Sequence, residues 1–338
     1  MFVFLVLCIF SIGGALALSP QHYAEEDAYE HFINFQQKYN RRYNNMDEQI
    51  RAFQTFKDNL EIINRLNKKS KHAVFGITKF ADLTAEEFEF KYTSFNTTAG
   101  NTDQYESCSN VVTDDQIPDS NAPDAWDWRT QNGVTSVKSQ GNCGSCWAFS
   151  AIGCLESQYA IKRGGQVDLS EQQLVDCVTN ANGCEGGWPS NSYISLMQQG
   201  GGVMSEQDYP YTEQQGQCNK NGQPAVTISD CSSYSLQSQN KLKQLLYSYG
   251  PISICVKATG IKQHYTSGIL DDQLCEEGTL NHAVLLVGYG NEGGMPYWIV
   301  KNSWSSEWGE SGYFRLQRGD GAESCGMLNS WMTTATIA

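Results

Sequence analysis

The chain has 338 residues, of which 40% are hydrophobic and 12% aromatic, enough apolar side chain for a sizeable core and too much for wholesale disorder. Lys and Arg number 23 against 37 Asp and Glu, a net charge of −14, which excludes nucleic-acid binding through a general phosphate-neutralising surface. Twelve cysteines suit an oxidising compartment rather than the cytosol.

Phe2 to Ile12 is an apolar run followed by small residues ending Ala15-Leu16-Ala17. The run is shorter than the ~20 residues that span a bilayer, so residues 1–17 read as a cleaved signal peptide, although its n-region lacks Lys and Arg. No later segment is long and apolar enough to span. The expected product enters the secretory pathway, for a lysosome-type vesicle or the exterior, and is soluble once the signal is removed.

Residues 18–92 are charged and read as helices. Tyr29, Phe32, Ile33 and Phe35 begin one amphipathic stretch, and Phe53, Phe56, Leu60 and Ile63 form a second at helical spacing. Thr84-Ala85-Glu86-Glu87 is a capping box opening a third, short helix. Residues 93–121 are Ser/Thr/Asn/Asp-rich with little periodicity, which predicts a linker; Asn96-Thr97-Thr98 within it is a glycosylation acceptor at Asn96. From 122 onward Trp, Gly and Cys become dense. A helix is predicted from Cys146 to about Ile161, and Ser170-Glu171-Gln172-Gln173 caps another. Ile252–Val256, His282–Tyr289, Tyr297–Lys301 and Tyr313–Gln317 have strand lengths and patterns. Helices first and strands later give an α+β fold of two packed lobes, with the cleft between them as the default ligand site.

The densest chemistry lies in Gln140-Gly141-Asn142-Cys143-Gly144-Ser145-Cys146-Trp147. Cys146 follows a Gly/Ser turn and starts a helix carrying Phe149, Ile152, Leu155 and Tyr159. Unpaired N–H groups and partial positive charge at a helix N-terminus favour thiolate over thiol. On spacing alone, a redox Cys-x-x-Cys or half of a zinc site stays open, although no second Cys-x-x-Cys or His cluster completes a metal set.

The Cys-Gly-Ser-Cys-Trp segment resembles the nucleophile signature of papain-like cysteine proteases, the cathepsin family. The remaining pattern follows in order. Asn281-His282-Ala283-Val284 places a histidine 136 residues after Cys146, and Lys301-Asn302-Ser303-Trp304 and Glu307-Trp308-Gly309 come next. In detail the chain resembles the cathepsin L/F group, and Leu280–Gly290 resembles the cathepsins of baculoviruses. The resemblance implies a papain-like two-lobed fold, a helical lobe beside a β-barrel-like lobe, behind a helical N-terminal propeptide. It implies Cys146 as nucleophile, His282 as base, Asn302 as the orienting amide and Gln140 as an oxyanion donor, with no cofactor and no metal. His264, in a polar stretch without a partner motif, is expected at the surface.

Resemblance also aligns Gly186, Gly187, Trp188, Pro189, Cys255, Leu280, Ala283 and Ser330 with the substrate cleft, the last six lining the pocket for the second residue before the scissile bond. All six are neutral, which predicts Leu, Val or Phe there rather than Arg. Nothing resembles a His-His occluding insertion, which favours an endopeptidase. Residues 27–92 resemble the family's inhibitory propeptide through Glu48, Phe56, Asn59, Ile63 and Asn67, with Ala52 where Arg is usual. Gly76-x-Thr78-x-Phe80-x-Asp82 matches a second motif, Thr78 replacing Asn. The implied product is an acid-activated zymogen cut between about 107 and 122, before a peptidase domain at 122–338. Its partners are protein and peptide substrates, its own propeptide and cystatin-type inhibitors, and it is expected to be a monomer. The resemblance suggests disulfides Cys143–Cys184, Cys177–Cys218 and Cys275–Cys325. Cys154 and Cys255 then read as free, while a Cys108–Cys231 pair would tether the linker to the peptidase domain.

Overall fold

The computed structural model describes residues 20–93, 105–219, 221–258, 260–275, 279–319, 321–329 and 332–338. The signal segment 1–17, Asn96 and Ser330 lie outside the described residues.

The N-terminal region is built on α1 (Ala28–Lys38) and α2 (Met46–Lys69), followed by β1 (Ala73–Phe75) and α3 (Ala85–Tyr92). Asn45 caps α2 by accepting from the Glu48 N–H at 2.9 Å, which satisfies one of the helix's orphan donors. Phe56, Leu60 and Ile63 are buried along one face of α2, and Phe32 and Phe35 of α1 pack on Phe56 at 5.3 and 5.2 Å. Ala52, where Arg is usual, is buried on the same face. The buried Asn59 amide donates to the Ala81 and Leu83 carbonyls, both at 2.9 Å. It thereby fixes the turn that leads into α3, whose Thr84/Glu87 capping box is formed.

The peptidase region follows with β2 (Asn110–Thr113), β3 (Trp126–Asp127), α4 (Cys146–Arg163), α5 (Glu171–Cys177), α6 (Pro189–Gln198), β4 (Gly202–Val203) and β5 (Val226–Ser235). Then come α7 (Gln239–Tyr249), β6 (Ile252–Val256), α8 (Gly260–Gln263), β7 (Tyr265–Leu270), β8 (His282–Glu292), β9 (Met295–Lys301), β10 (Tyr313–Gln317) and β11 (Met332–Ile337). Strands pair in the order β1-β7-β10-β9-β8-β6-β11-β5-β2. Helix α4 is buried along nearly its whole length, because it runs between the helical layer and the sheet. A Cβ on Gly153 would stand 3.1 Å from the Leu285 side chain, so glycine lets α4 approach β8. Gly164, with φ of 74°, ends the helix in the left-handed conformation that glycine adopts at low cost.

Two expectations are corrected. The stretch read as a linker is partly built into the peptidase: β2 pairs in parallel with β5, Asn110 opposite Ser232 through Thr113 opposite Ser235. His264 is not at the surface but 1% exposed. Its carbonyl accepts the Gly76 N–H at 2.9 Å, since β1 docks antiparallel on β7. Neighbouring Gln263 is buried as well, donating to the Phe80 and Leu83 carbonyls at 2.8 and 2.7 Å. Polar sequence here reflects main-chain recognition between two parts of the chain, not contact with water.

Candidate active site

Cys146 is the first residue of α4, and its placement depends on the turn before it. The Gly144 N–H donates to the Cys184 carbonyl at 2.8 Å, and a Cβ on Gly144 would lie 2.4 Å from that oxygen. Only glycine allows this approach, and Cys143 is bonded to Cys184 across it. The Cys146 sulfur accepts the Ala283 N–H at 3.1 Å. The helix start and the start of β8 therefore meet at the nucleophile candidate.

His282 opens β8 and is fully buried. Its Nε2 lies 2.8 Å from Asn302 Oδ1, and that oxygen also accepts the Ser303 N–H at 2.8 Å, which orients the amide. Nδ1 has no hydrogen-bond partner, leaving it as the nitrogen available to exchange a proton. Trp304 stacks on the imidazole with centroids 4.7 Å apart and planes at 25°. Burial pushes the His282 pKa down to about 3, opposed by the Asn302 hydrogen bond. The ring is thus neutral in this covered state.

Gln140 is held from both ends. Its N–H donates to the Ser303 carbonyl at 2.8 Å, and its Oε1 accepts from the Ser303 hydroxyl at 2.7 Å. Nε2 is thereby aimed at the Cys143 carbonyl, 2.9 Å away, and at the Tyr92 carbonyl, 3.4 Å away. Trp304 Nε1 also donates to Tyr92 O, at 3.3 Å, while Phe80 and Phe88 pack edge-on against the Trp304 ring. The N-terminal region thus places a carbonyl on the Gln140 amide and aromatic rings against the tryptophan that stacks on His282. Thr78, standing in for Asn, donates to the Gln263 carbonyl at 2.6 Å.

Of the predicted pocket residues, Trp188, Cys255, Leu280 and Ala283 share one apolar cluster. Trp188 and Pro189 start α6, Cys255 pairs with Ala283 on adjacent strands, and Leu280 packs into the same apolar cluster. Gly186 has φ of 122°, and a Cβ on Gly187 would meet the Trp147 ring at 2.8 Å. The three suggested disulfides are formed, and so is Cys108–Cys231. Cys154 and Cys255 are free and buried. Burial pushes both thiols upward, which makes them apolar lining rather than nucleophiles. Among the described residues, no group of three or more His, Cys, Asp or Glu is arranged to hold a metal.

Sequence reading missed three contributors: Ser303 as the clamp on Gln140, the Ala283 N–H on the sulfur, and Tyr105. The Tyr105 ring packs edge-on against Trp188 at 5.2 Å. Only the Asn-Ser-Trp motif carried a signal for the first. Tyr105 had none, because it sits in a stretch without periodicity.

A profile described as papain family cysteine protease matches residues 122–335, and one described as cathepsin propeptide inhibitor domain (I29) matches residues 32–88. The chain belongs to the papain family of cysteine proteases. Among papain-family relatives, the viral cathepsin of Adoxophyes honmai nucleopolyhedrovirus is 44% identical over 317 residues, covering 92% of each chain. That of Spodoptera litura multicapsid nucleopolyhedrovirus is 43% identical over 321 residues, covering 93% of each. A solved digestive procathepsin L 3 from Tenebrio molitor larval midgut superposes with a TM-score of 0.80 at 33% identity, covering 91% of this chain and 99% of that one. A recombinant stem bromelain precursor gives 0.80 at 35% identity, covering 91% and 98%. This papain-family chain is therefore a cysteine peptidase zymogen, with protein or peptide substrates and its own propeptide as inhibitor.

Proposed function

We propose that the protein is an endopeptidase in which Cys146 attacks the substrate carbonyl while His282 takes the thiol proton. The observation that carries this is the meeting of α4 and β8: the Cys146 sulfur 3.1 Å from the Ala283 N–H, beside an imidazole whose other nitrogen is fixed by Asn302. The proton moves from sulfur to His282 Nδ1, and the thiolate adds to the carbonyl carbon. The oxyanion is met by the Gln140 amide and the Cys146 N–H. His282 then gives its proton to the departing amine, leaving a thioester. Water, deprotonated by the same imidazole, hydrolyses the thioester and regenerates the thiol. Asn302 holds the ring in one tautomer, and Trp304 keeps water from that hydrogen bond, which strengthens it.

Trp188, Pro189, Leu280, Cys255 and Ala283 form the pocket for the second residue before the cut, which selects Leu, Val or Phe; the resemblance adds Ser330, which lies outside the described residues. The boundaries are a signal at 1–17, an inhibitory domain at 18–92, a connecting segment at 93–121 whose residues 110–113 add β2 to the sheet, and the peptidase at 122–338, with secretory or lysosome-type delivery.

Acid releases the propeptide. Asp82, buried, accepts from Arg41 at 2.8 Å and from Tyr43 at 2.9 Å, bracing the turn before α3 within the propeptide. The covered His282 binds its proton only near pH 3, whereas an ordinary imidazole titrates at about 6.5. Between those values the uncovered state holds more protons, so covering is favoured above about pH 6.5 and weakens as pH falls toward 3. His264, pushed down to about 3 by burial, acts with the same sign wherever release exposes it.

Purified full chain acidified with a mild reductant should acquire cleavage of a fluorogenic peptide with Phe at the second position. The matched peptide with Arg there should be cut at least tenfold less efficiently, the scale of a polar group forced into an apolar pocket. Full activity of unprocessed chain at pH 7, or preference for Arg, would contradict the reading.

A further inference from the structure

Proteolysis alone does not free the segment preceding the peptidase domain. Cys108 is bonded to Cys231 of β5, with their Cα atoms 5.6 Å apart, and each residue is 1% exposed. Around this bond the segment is built into the peptidase. The Glu106 N–H donates to Asn191 Oδ1 at 3.0 Å and the Cys108 N–H to Ser233 Oγ at 2.9 Å. Asn110 to Thr113 extend the sheet beside β5. Three residues before the disulfide, Tyr105 lies against Trp188, with its hydroxyl 3.5 Å from Ser233 Oγ, inside the cluster that contains Leu280, Cys255 and Ala283. After the segment the chain emerges: Asp119 is 86% exposed at its side chain, and residues 121–125 are mostly exposed.

We propose that Cys108–Cys231 makes activation a two-key event: cleavage in the exposed stretch after Ile117 opens the chain, and reduction of this disulfide by a small thiol releases the Tyr105 segment from the substrate pocket. The pocket assignment rests on the peptidase reading above; the covalent retention does not. Until reduction, the cut segment stays at an effective concentration on the order of millimolar, and Tyr105 competes with the substrate's second residue for Trp188. The chemistry is thiol–disulfide exchange. A small-molecule thiolate attacks one sulfur, the Cys108–Cys231 bond breaks to give a mixed disulfide and one protein thiolate, and a second thiol resolves the mixed disulfide. Two protein thiols and one small-molecule disulfide result, two electrons having passed from the thiol pair. With both sulfurs buried, attack requires β2 to lift from β5, so reduction is slow while the segment is docked.

The test has two arms. Cys146→Ala chain, cut in trans by a protease that cleaves before aspartate, is analysed by intact mass under denaturing conditions with and without reductant. The N-terminal fragment should remain joined to the peptidase fragment without reductant and separate with it. In the second arm, acid-processed wild type and Cys108→Ser/Cys231→Ser are compared without reductant under argon, with active sites counted by an epoxide label. Wild type should show a KM about tenfold higher than the double variant at equal kcat, and a dithiol should bring it to the variant's value. Separation without reductant, equal KM values, or a segment that stays docked after full reduction would overturn the proposal. If the epoxide labels neither protein, the peptidase reading fails instead, while the mass arm still decides the tether.

Discussion

Cys146→Ala is expected to lower peptide hydrolysis by on the order of 10⁶-fold, the scale on which loss of a nucleophile removes the covalent route altogether. The residue is fully buried and begins α4, where alanine is compatible with the backbone. The variant should therefore fold, remain uncut on acidification and melt within a few degrees of wild type. Hydrolysis measured with a fluorogenic peptide, beside a thermal melt, separates lost chemistry from lost structure. Activity within tenfold of wild type would assign the reaction to another group, and the buried Cys154 and Cys255 are poor candidates because burial raises both thiols.

Gln140→Ala should cost ~10²–10³ in kcat with KM nearly unchanged, the typical loss for one oxyanion donor. The expectation depends on how firmly the amide is held: its carbonyl end is bound by the Ser303 hydroxyl at 2.7 Å, so Nε2 needs no reorganisation to face the developing charge. Ser303→Ala releases that clamp and should give a smaller loss in the same parameter. A kinetic comparison in which Gln140→Ala raises KM and spares kcat would mean that Gln140 binds ground-state substrate instead.

Much of this arrangement is legible in sequence because it rests on local rules. The Thr84/Glu87 capping box, the apolar face of α2 and the start of α4 at Cys146 each follow from residues a few positions apart, and strands β6 and β10 begin and end where their patterning does. The candidate catalytic residues Cys146, His282 and Asn302 are readable because each sits in a distinctive motif. What stayed hidden is long-range pairing. β2 is a strand because β5 offers an edge at residues 232–235, and nothing within Asn110–Thr113 announces that edge. His264 and Gln263 looked solvated because their burial is supplied by Gly76, Phe80 and Leu83, nearly two hundred residues earlier. Tyr105 meets Trp188 three residues before Cys108, whose bond to Cys231 cysteine count alone left open.

The central claim is that one thiol does the chemistry and that the N-terminal region keeps it silent. Labelling of Cys146 by a thiol-directed epoxide, followed by peptide mass mapping during acidification, tests both parts at once. In intact chain at pH 7, Tyr92 occupies the Gln140 donor and burial holds His282 neutral, so Cys146 should remain essentially unlabelled. Label should then appear on Cys146 in step with loss of the propeptide and onset of hydrolysis, while Cys154 and Cys255 stay unmodified. Equal labelling of Cys146 before and after propeptide loss would contradict the account, as would hydrolysis that proceeds with Cys146 fully labelled.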